Sequence, residues 1–110
     1  LYSDDIDWQL PKIENMPWFG SRTGREETAE FFQSLAEAQD ALTFNPREFI
    51  AKGDKVVVLG DYSWRVKATG REFGSDWAHV WTVRDGKLSG FQEYADTAAA
   101  SNAHQKAVSA

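Results

Sequence analysis

A stretch of alternating residues, interrupted once by Asp85-Gly86, constrains the fold more than any other part of this sequence. The runs that flank the dipeptide, Glu72–Val83 and Lys87–Ala95, are rich in aromatic and β-branched residues. Asp-Gly between such runs is typical of a tight β-hairpin turn, because glycine adopts a positive φ without steric cost. The sequence therefore predicts two antiparallel strands here.

Alternation along the first of these strands places a histidine among aromatic side chains. Successive side chains of a strand point to opposite faces. His79 therefore shares its face with Trp77 and Trp81. A lone histidine in such surroundings is more often a core residue than a catalytic one, and both interpretations stay open at this point.

Length and composition exclude several classes of protein. The chain has 110 residues, which fits a single domain, 1–110, with one core. Its net charge of −5 argues against binding to nucleic-acid phosphates, and its lack of cysteine excludes disulfides and thiol chemistry. No apolar run is long enough to cross a bilayer, and we see no signal-peptide pattern. We expect a cytoplasmic protein with no membrane or nucleic-acid partner, no metal and no cofactor.

The first half of the chain predicts a short strand, an aromatic loop and one helix. Ile6–Leu10 alternates like a strand, and Lys12–Thr23 is a loop that carries Trp18. Such a loop either packs on the core or covers a pocket, and packing is the commoner case. Thr23 and Glu26 match a capping box, and the amphipathic helix that follows spans about Arg25–Gln39.

The second half predicts mostly strands. Besides the hairpin, they are Thr43–Ala51 and Lys55–Lys67, and a final alanine-rich segment, Ala98–Ala107, is a candidate helix capped by Asp96 or Thr97. The architecture is α+β, with one helix and a curved antiparallel sheet. One helix of about four turns covers only part of the aromatic face, so we expect further cover from another helix or a partner subunit.

Short segments from several elements form an ordered series. They are Trp18-Phe19-Gly20, Phe31-Phe32, the run from Phe49 to Val58, Ala68-Thr69-Gly70-Arg71, the run from Trp77 to Lys87, and Glu93-Tyr94-x-Asp96-Thr97. This series resembles the SnoaL-like proteins, in the superfamily of nuclear transport factor 2 and ketosteroid isomerase. The resemblance covers about Ile6 to Ala99.

The resemblance implies a cone-shaped curved antiparallel sheet packed on helix, the cystatin-like α+β barrel. A deep apolar pocket and frequent homodimers are also typical of the family. Its members usually carry one or two helices before the strand that resembles Ile6–Leu10. These N-terminal helices are expected to be absent from this chain, which would leave a more open pocket.

The resemblance also implies a pair of site residues. The general-base aspartate of ketosteroid isomerases falls at about Leu10, which cannot abstract a proton, so that chemistry is not expected. SnoaL-type cyclases carry a pocket histidine and an acidic acid/base residue on the next strand. The similar positions in this chain are His79 and Glu93.

The hairpin register decides whether these two residues share a face. A two-residue turn pairs Arg84 with Lys87 and puts His79 and Glu93 on different faces of the sheet. A three-residue loop pairs Val83 with Lys87 and puts both site residues on the aromatic face. The sequence permits either register, the resemblance favours the three-residue loop, and we adopt it.

Under that register His79 lies opposite Phe91, and Trp77 lies opposite Glu93. We expect His79 and Glu93 to be catalytic, in a pocket whose ligand contacts are Tyr62, Trp64, Trp77, Trp81, Phe91 and Trp18. Glu93 would equally fit a rim or a dimer-interface charge. The opposite sheet face is apolar enough to predict a homodimer, and its candidate contacts are Ala78, Val80, Thr82, Leu88 and Tyr94.

Two functions follow from this interpretation. The first is cofactor-independent acid/base chemistry, of cyclase, isomerase, hydratase or hydrolase type, on a small apolar ligand that bears a carbonyl. The alternative is a non-catalytic small-ligand-binding or dimeric interaction module.

Overall fold

The computed structural model describes residues 2–105, which form one sheet and two helices. The strands are β1 (Tyr2–Gln9), β2 (Arg22–Thr23), β3 (Gln39–Lys52), β4 (Lys55–Val66), β5 (Glu72–Arg84) and β6 (Lys87–Ala95). The helices are α1 (Gly24–Ala38) and α2 (Thr97–His104). The six strands lie in the order β2-β1-β6-β5-β4-β3.

The α+β class with a curved sheet is confirmed. The sheet is mixed rather than wholly antiparallel, because β1 runs parallel to β6, where Trp8 pairs with Phe91. Alternation predicts that a segment is a strand but not its direction, and β1 and β6 are separated by most of the chain. The boundaries also differ, since β3 starts at Gln39 instead of Thr43.

The start of α1 differs from the predicted capping box. The Thr23 side chain makes no capping hydrogen bond, and the Thr23 backbone N–H donates to Glu27 Oε1 at 3.1 Å instead of to Glu26. Gly24 has a φ of +87°, outside the right-handed helical region, so the first helical turn is displaced by one residue. The carboxylate within reach of Thr23 is therefore the next one along the chain.

At the other end of the chain, Asp96 caps α2 as expected, because its side chain accepts a hydrogen bond from the Ala99 N–H. The helix ends at His104. The last two positions of the predicted segment, 106 and 107, lie outside the described residues. Neither α1 nor α2 is long and apolar enough to cross a membrane.

The β5–β6 hairpin follows neither of the two registers derived from the sequence. Its turn has two residues, Asp85 and Gly86, both with positive φ, which is the signature of a type I′ turn. The adopted three-residue loop is therefore wrong. A β-bulge follows the turn: Val83 pairs with Leu88, and Thr82 already pairs with Gly90.

The extra residue at Ser89 shifts the pairing of β6 by one position. If Ser89 instead paired with Thr82 in a regular ladder, the two-residue turn would place Gln92 opposite His79. Because Ser89 is bulged out, His79 pairs directly with Glu93, and Trp81 pairs with Phe91. Directly paired residues point to the same face of a sheet, so the two site residues lie together after all.

Cover for the aromatic face comes from α1 and from the loop between β1 and β2. A buried cluster of Ile6, Trp8, Leu10, Phe31 and Phe91 joins the sheet to α1. The loop is held by the Arg22 guanidinium, which donates to the carbonyl oxygens of Trp18, Gly20 and Ser21. Met16, at the centre of the loop, is buried. The sheet, α1 and this loop therefore surround an interior space.

Candidate active site

A cavity of about 360 Å³ lies between the sheet, α1 and the β1–β2 loop. Most of its wall is apolar. The lining comprises Tyr2, Trp8, Leu10, Ile13, Met16, Phe19, Phe31, Phe32, Leu35, Gln39, Ala41, Phe44, Tyr62, Trp64, Phe73, His79, Trp81, Phe91, Glu93 and Ala100. Its volume and its few polar groups are typical of a small-molecule site.

Glu93 is the centre of the polar part of the cavity. Its Oε1 accepts a hydrogen bond from the Tyr62 hydroxyl at 2.8 Å. The same oxygen lies 3.4 Å from His79 Nε2, within ion-pair range but without hydrogen-bond geometry. The side chains of His79 and Glu93 are only 12% and 8% exposed. Among residues 2–105, no hydrogen bond engages the second carboxylate oxygen, Oε2, which leaves it available to a ligand.

The imidazole of His79 is fixed by aromatic rings on two sides. Trp77 stacks on it, with ring centroids 3.9 Å apart and planes 17° from parallel. Phe91 approaches edge-on, with its centroid at 4.8 Å. These contacts hold the ring with Nε2 toward Glu93, because aromatic stacking has specific geometry as well as large buried area.

Tyr62 is a neutral hydrogen-bond donor at physiological pH. Burial, the negative charge of Glu93 and the hydrogen bond to it all raise the pKa of Tyr62 above its ordinary value of 10.0. The phenol therefore orients the carboxylate and does not itself act as a base. Sequence reasoning placed Tyr62 in the pocket as a ligand contact and missed this bond to Glu93.

The other expected ligand contacts divide into two groups. Trp64, Trp81 and Phe91 line the cavity together with Tyr62. Trp77 and Trp18 are not among the lining residues. Trp77 is buried behind His79, and Trp18 packs against Phe19, Phe31 and His104.

Several lining residues were not expected from the sequence. Phe31, Phe32 and Leu35 belong to the apolar stripe of α1, and that stripe was a usable signal. Ile13, Met16 and Phe19 come from the loop, which covers a pocket as well as packing on the core. No sequence pattern indicated that Gln39 would line the cavity, because a polar residue at the end of a helix ordinarily lies in solvent.

This arrangement supports proton transfer and hydrogen bonding to a ligand inside an apolar enclosure. A carboxylate in such a place can accept a proton, and a neighbouring imidazole can donate one. Among residues 2–105, no group of three or more His, Cys, Asp and Glu side chains could hold a metal ion.

A curved α+β sheet closed by helices around a ligand-sized cavity defines the class of nuclear transport factor 2-like proteins. The chain belongs to the SnoaL-like family within this class: the family model for the SnoaL-like domain matches residues 1–91. Comparison with curated proteins gives no match.

Solved structures of similar fold support this assignment. An NTF2-like protein from Burkholderia xenovorans LB400 is 34% identical, with a TM-score of 0.86, and the match covers 94% of this chain and 78% of that one. An NTF2-like protein from Burkholderia thailandensis E264 is 30% identical, with a TM-score of 0.85 and coverages of 96% and 80%. TerC, co-crystallised with polyporic acid, is 30% identical, with a TM-score of 0.79 and coverages of 94% and 79%.

Proposed function

We propose that this protein binds a small apolar ligand with a carbonyl group and moves a proton on it, with Glu93 as the base. One observation carries the proposal. A buried carboxylate in an apolar cavity shares one oxygen between Tyr62 and His79, while its other oxygen has no protein partner among the described residues. A carboxylate held in this way is oriented for proton transfer.

The proposed step is proton abstraction from a carbon next to the ligand carbonyl. The C–H bond breaks, its electron pair moves into the carbonyl to form an enolate, and Glu93 Oε2 takes the proton. Return of the proton to the same carbon gives exchange, and return to another carbon gives isomerisation. Attack of the enolate on a second carbonyl would give an aldol-type closure.

The experiment follows the α-protons of 1-tetralone, a flat apolar ketone, in D₂O by proton NMR. Wild-type protein should speed the loss of the α-proton signal. Glu93→Gln keeps the shape of the side chain but cannot take a proton, and should slow the protein-catalysed exchange by at least about 100-fold. The matched control is Glu72→Gln, an exposed β5 position bonded to Arg65, which should leave the rate unchanged.

Binding is measured separately, by quenching of tryptophan fluorescence with the same ketone. If wild-type protein binds the ketone and exchange stays at the background rate, the acid/base proposal is wrong. The non-catalytic binding module would then be the better description. Binding with exchange that Glu93→Gln abolishes supports an enzyme.

A further inference from the structure

An exposed phenylalanine on β3 packs against the tryptophan that holds His79. β3 is an edge strand of the sheet, next to β4, and Phe44 on this strand is 54% exposed. The rings of Phe44 and Trp77 have centroids 5.1 Å apart and planes only 17° from parallel. Offset parallel rings at this separation are a favourable aromatic pair. Phe44 therefore covers the Trp77 ring while much of its own surface stays in solvent.

Trp77 connects this edge position to the candidate site. Its ring also stacks on His79, with centroids 3.9 Å apart and the same angle of 17° between the planes. Among the described residues, Phe44 and His79 make no ring contact with each other. The Trp77 indole lies over Gly60 of β4, the strand that separates β3 from β5. The three rings therefore form one stack, Phe44–Trp77–His79, that runs from the edge of the sheet to the site.

The backbone of β5 alone does not fix the plane of the Trp77 ring. Rotation about the bond between an aromatic ring and its Cβ has broad minima, so packing decides the orientation of the ring. Tyr62 approaches Trp77 at 6.3 Å with its plane tilted by 36°. Within residues 2–105, the two rings that lie parallel to the indole are Phe44 and His79. Without the ring of Phe44 the indole can turn, and its stacking on His79 loosens.

We propose that Phe44 is a positioning residue of the candidate site. Acting through Trp77, it holds the His79 imidazole with Nε2 3.4 Å from Glu93 Oε1. The inference rests on the proposed function, because it assumes that the placement of His79 beside Glu93 matters to proton transfer. Phe44 also lines the cavity, so its effect on ligand binding is measured apart from its effect on His79.

The orientation of His79 is followed by proton–carbon NMR of the unliganded protein. The chain has two histidines, and loss of signals in His79→Gln assigns the imidazole C–H signals of each. Phe44→Leu should move the His79 signals to higher frequency, because protons stacked on a ring face are shielded and this variant loosens the stack. His104 packs against Trp18 and Phe73, outside the stack, and its signals should stay in place.

Two further variants separate the ring of Phe44 from its bulk and its exposure. Phe44→Tyr keeps the ring and should leave the His79 signals at their wild-type positions. Phe49→Leu is the matched control, since Phe49 lies on the same strand, is 67% exposed and has no aromatic neighbour among the described residues. It should leave both histidines unchanged.

The same variants are compared in the exchange experiment with 1-tetralone. At saturating ketone, Phe44→Leu should slow the exchange about tenfold, because a small misplacement of a catalytic group lowers the rate of the chemical step. Phe44→Tyr and Phe49→Leu should keep the wild-type rate. Quenching of tryptophan fluorescence gives the affinity for the ketone separately, so weaker binding is not mistaken for slower proton transfer.

The outcomes separate this inference from the proposed function. If the His79 signals do not move in Phe44→Leu, the positioning role is wrong and the proton-transfer proposal stands. Equal shifts in Phe49→Leu or in Phe44→Tyr would overturn the positioning role as well. If the His79 signals move only in Phe44→Leu while wild-type protein shows no exchange, the positioning of His79 is supported and the proton-transfer proposal fails.

Discussion

Tyr62 couples the stability of the fold to the state of the candidate site. Its hydroxyl donates to Glu93, and only the neutral phenol can do so. Because the folded-state pKa is raised above 10.0, the phenol ionises more readily in the unfolded chain. Its contribution to stability is therefore complete below pH 10 and is lost as the pH rises through the higher folded-state pKa.

Tyr62→Phe should lower the free energy of unfolding by about 2 kcal/mol at pH 7, because it removes a hydrogen bond to a charged group. The difference in unfolding free energy between wild type and variant should become smaller above pH 10, because the wild type there loses the stabilisation that the neutral phenol supplies. Urea unfolding at pH 7 and pH 11 measures both effects. Tyr94→Phe, at a 56% exposed position, is the control and should change stability little at pH 7. A gap that is the same at both pH values would contradict the assigned role of Tyr62.

Single residues of the site were predictable to different degrees. His79 and Glu93 follow from a family resemblance, and Tyr62 follows from its place on the aromatic face. The hydrogen bond between Tyr62 and Glu93 could not be predicted from the sequence, because it joins two strands that are not neighbours in the sheet. Gln39 was not predictable because its burial depends on tertiary packing at the end of α1.

At the scale of elements, a glycine on β4 makes room for the ring that holds His79. A Cβ at Gly60 would lie 2.6 Å from Trp77 Cζ2 and 2.5 Å from the Asn45 carbonyl oxygen. Both distances are below van der Waals contact. The close approach of Trp77 to β4, and hence its stacking on His79, therefore requires glycine at this position.

Gly60→Ala should destabilise the protein by about 1–3 kcal/mol through overpacking. It should also move Trp77, and the near-ultraviolet circular dichroism of tryptophan should change with it. Gly74→Ala, on β5, is the control, because its Cβ would meet the nearest atom at 3.4 Å, an ordinary contact. Equal stability of the two variants would show that β4 adjusts without disturbing the stack.

The hairpin illustrates which parts of an element the sequence specifies. Asp85-Gly86 correctly predicted the turn and the two strands. The bulge at Ser89 was not predicted, although a glycine inside a strand, here Gly90, often marks a bulge. The expectation that His79 and Glu93 share a face is confirmed, although the register from which it was argued is wrong.

At the scale of the whole molecule, the outer face of the sheet carries a row of apolar side chains that the described residues leave partly exposed. Ile50, Val57 and Val80 pair across three strands and point away from the cavity, and Ile50 is 49% exposed. Tyr94 extends this apolar surface on β6. Leu88, which we expected here, instead packs against the buried cluster, because the two-residue turn pairs it with Val83 on the cavity face.

We propose a homodimer through this outer face. Val80→Glu should convert it to a monomer, because the charge would be buried at the centre of the interface. Sedimentation velocity at about 50 µM, a concentration at which a micromolar dimer is populated, distinguishes the two states. Glu30→Lys, at an exposed position on α1 on the other side of the sheet, is the control for a change of charge. A monomeric wild-type protein at this concentration would contradict the proposal.

Because of the bulge at Ser89, the site depends on the number of residues in β6 as well as on the identity of its side chains. Gain of one residue between the turn and Gln92, with the bulge unchanged, would leave every site residue in the gene and a hairpin that still forms. It would nevertheless turn Glu93 out of the cavity and bring Gln92 in, because every later residue of β6 would pair one position further along β5. Within such a lineage, a one-codon insertion converts the candidate base into an amide, so acid/base relatives and purely ligand-binding relatives can differ by the length of one strand.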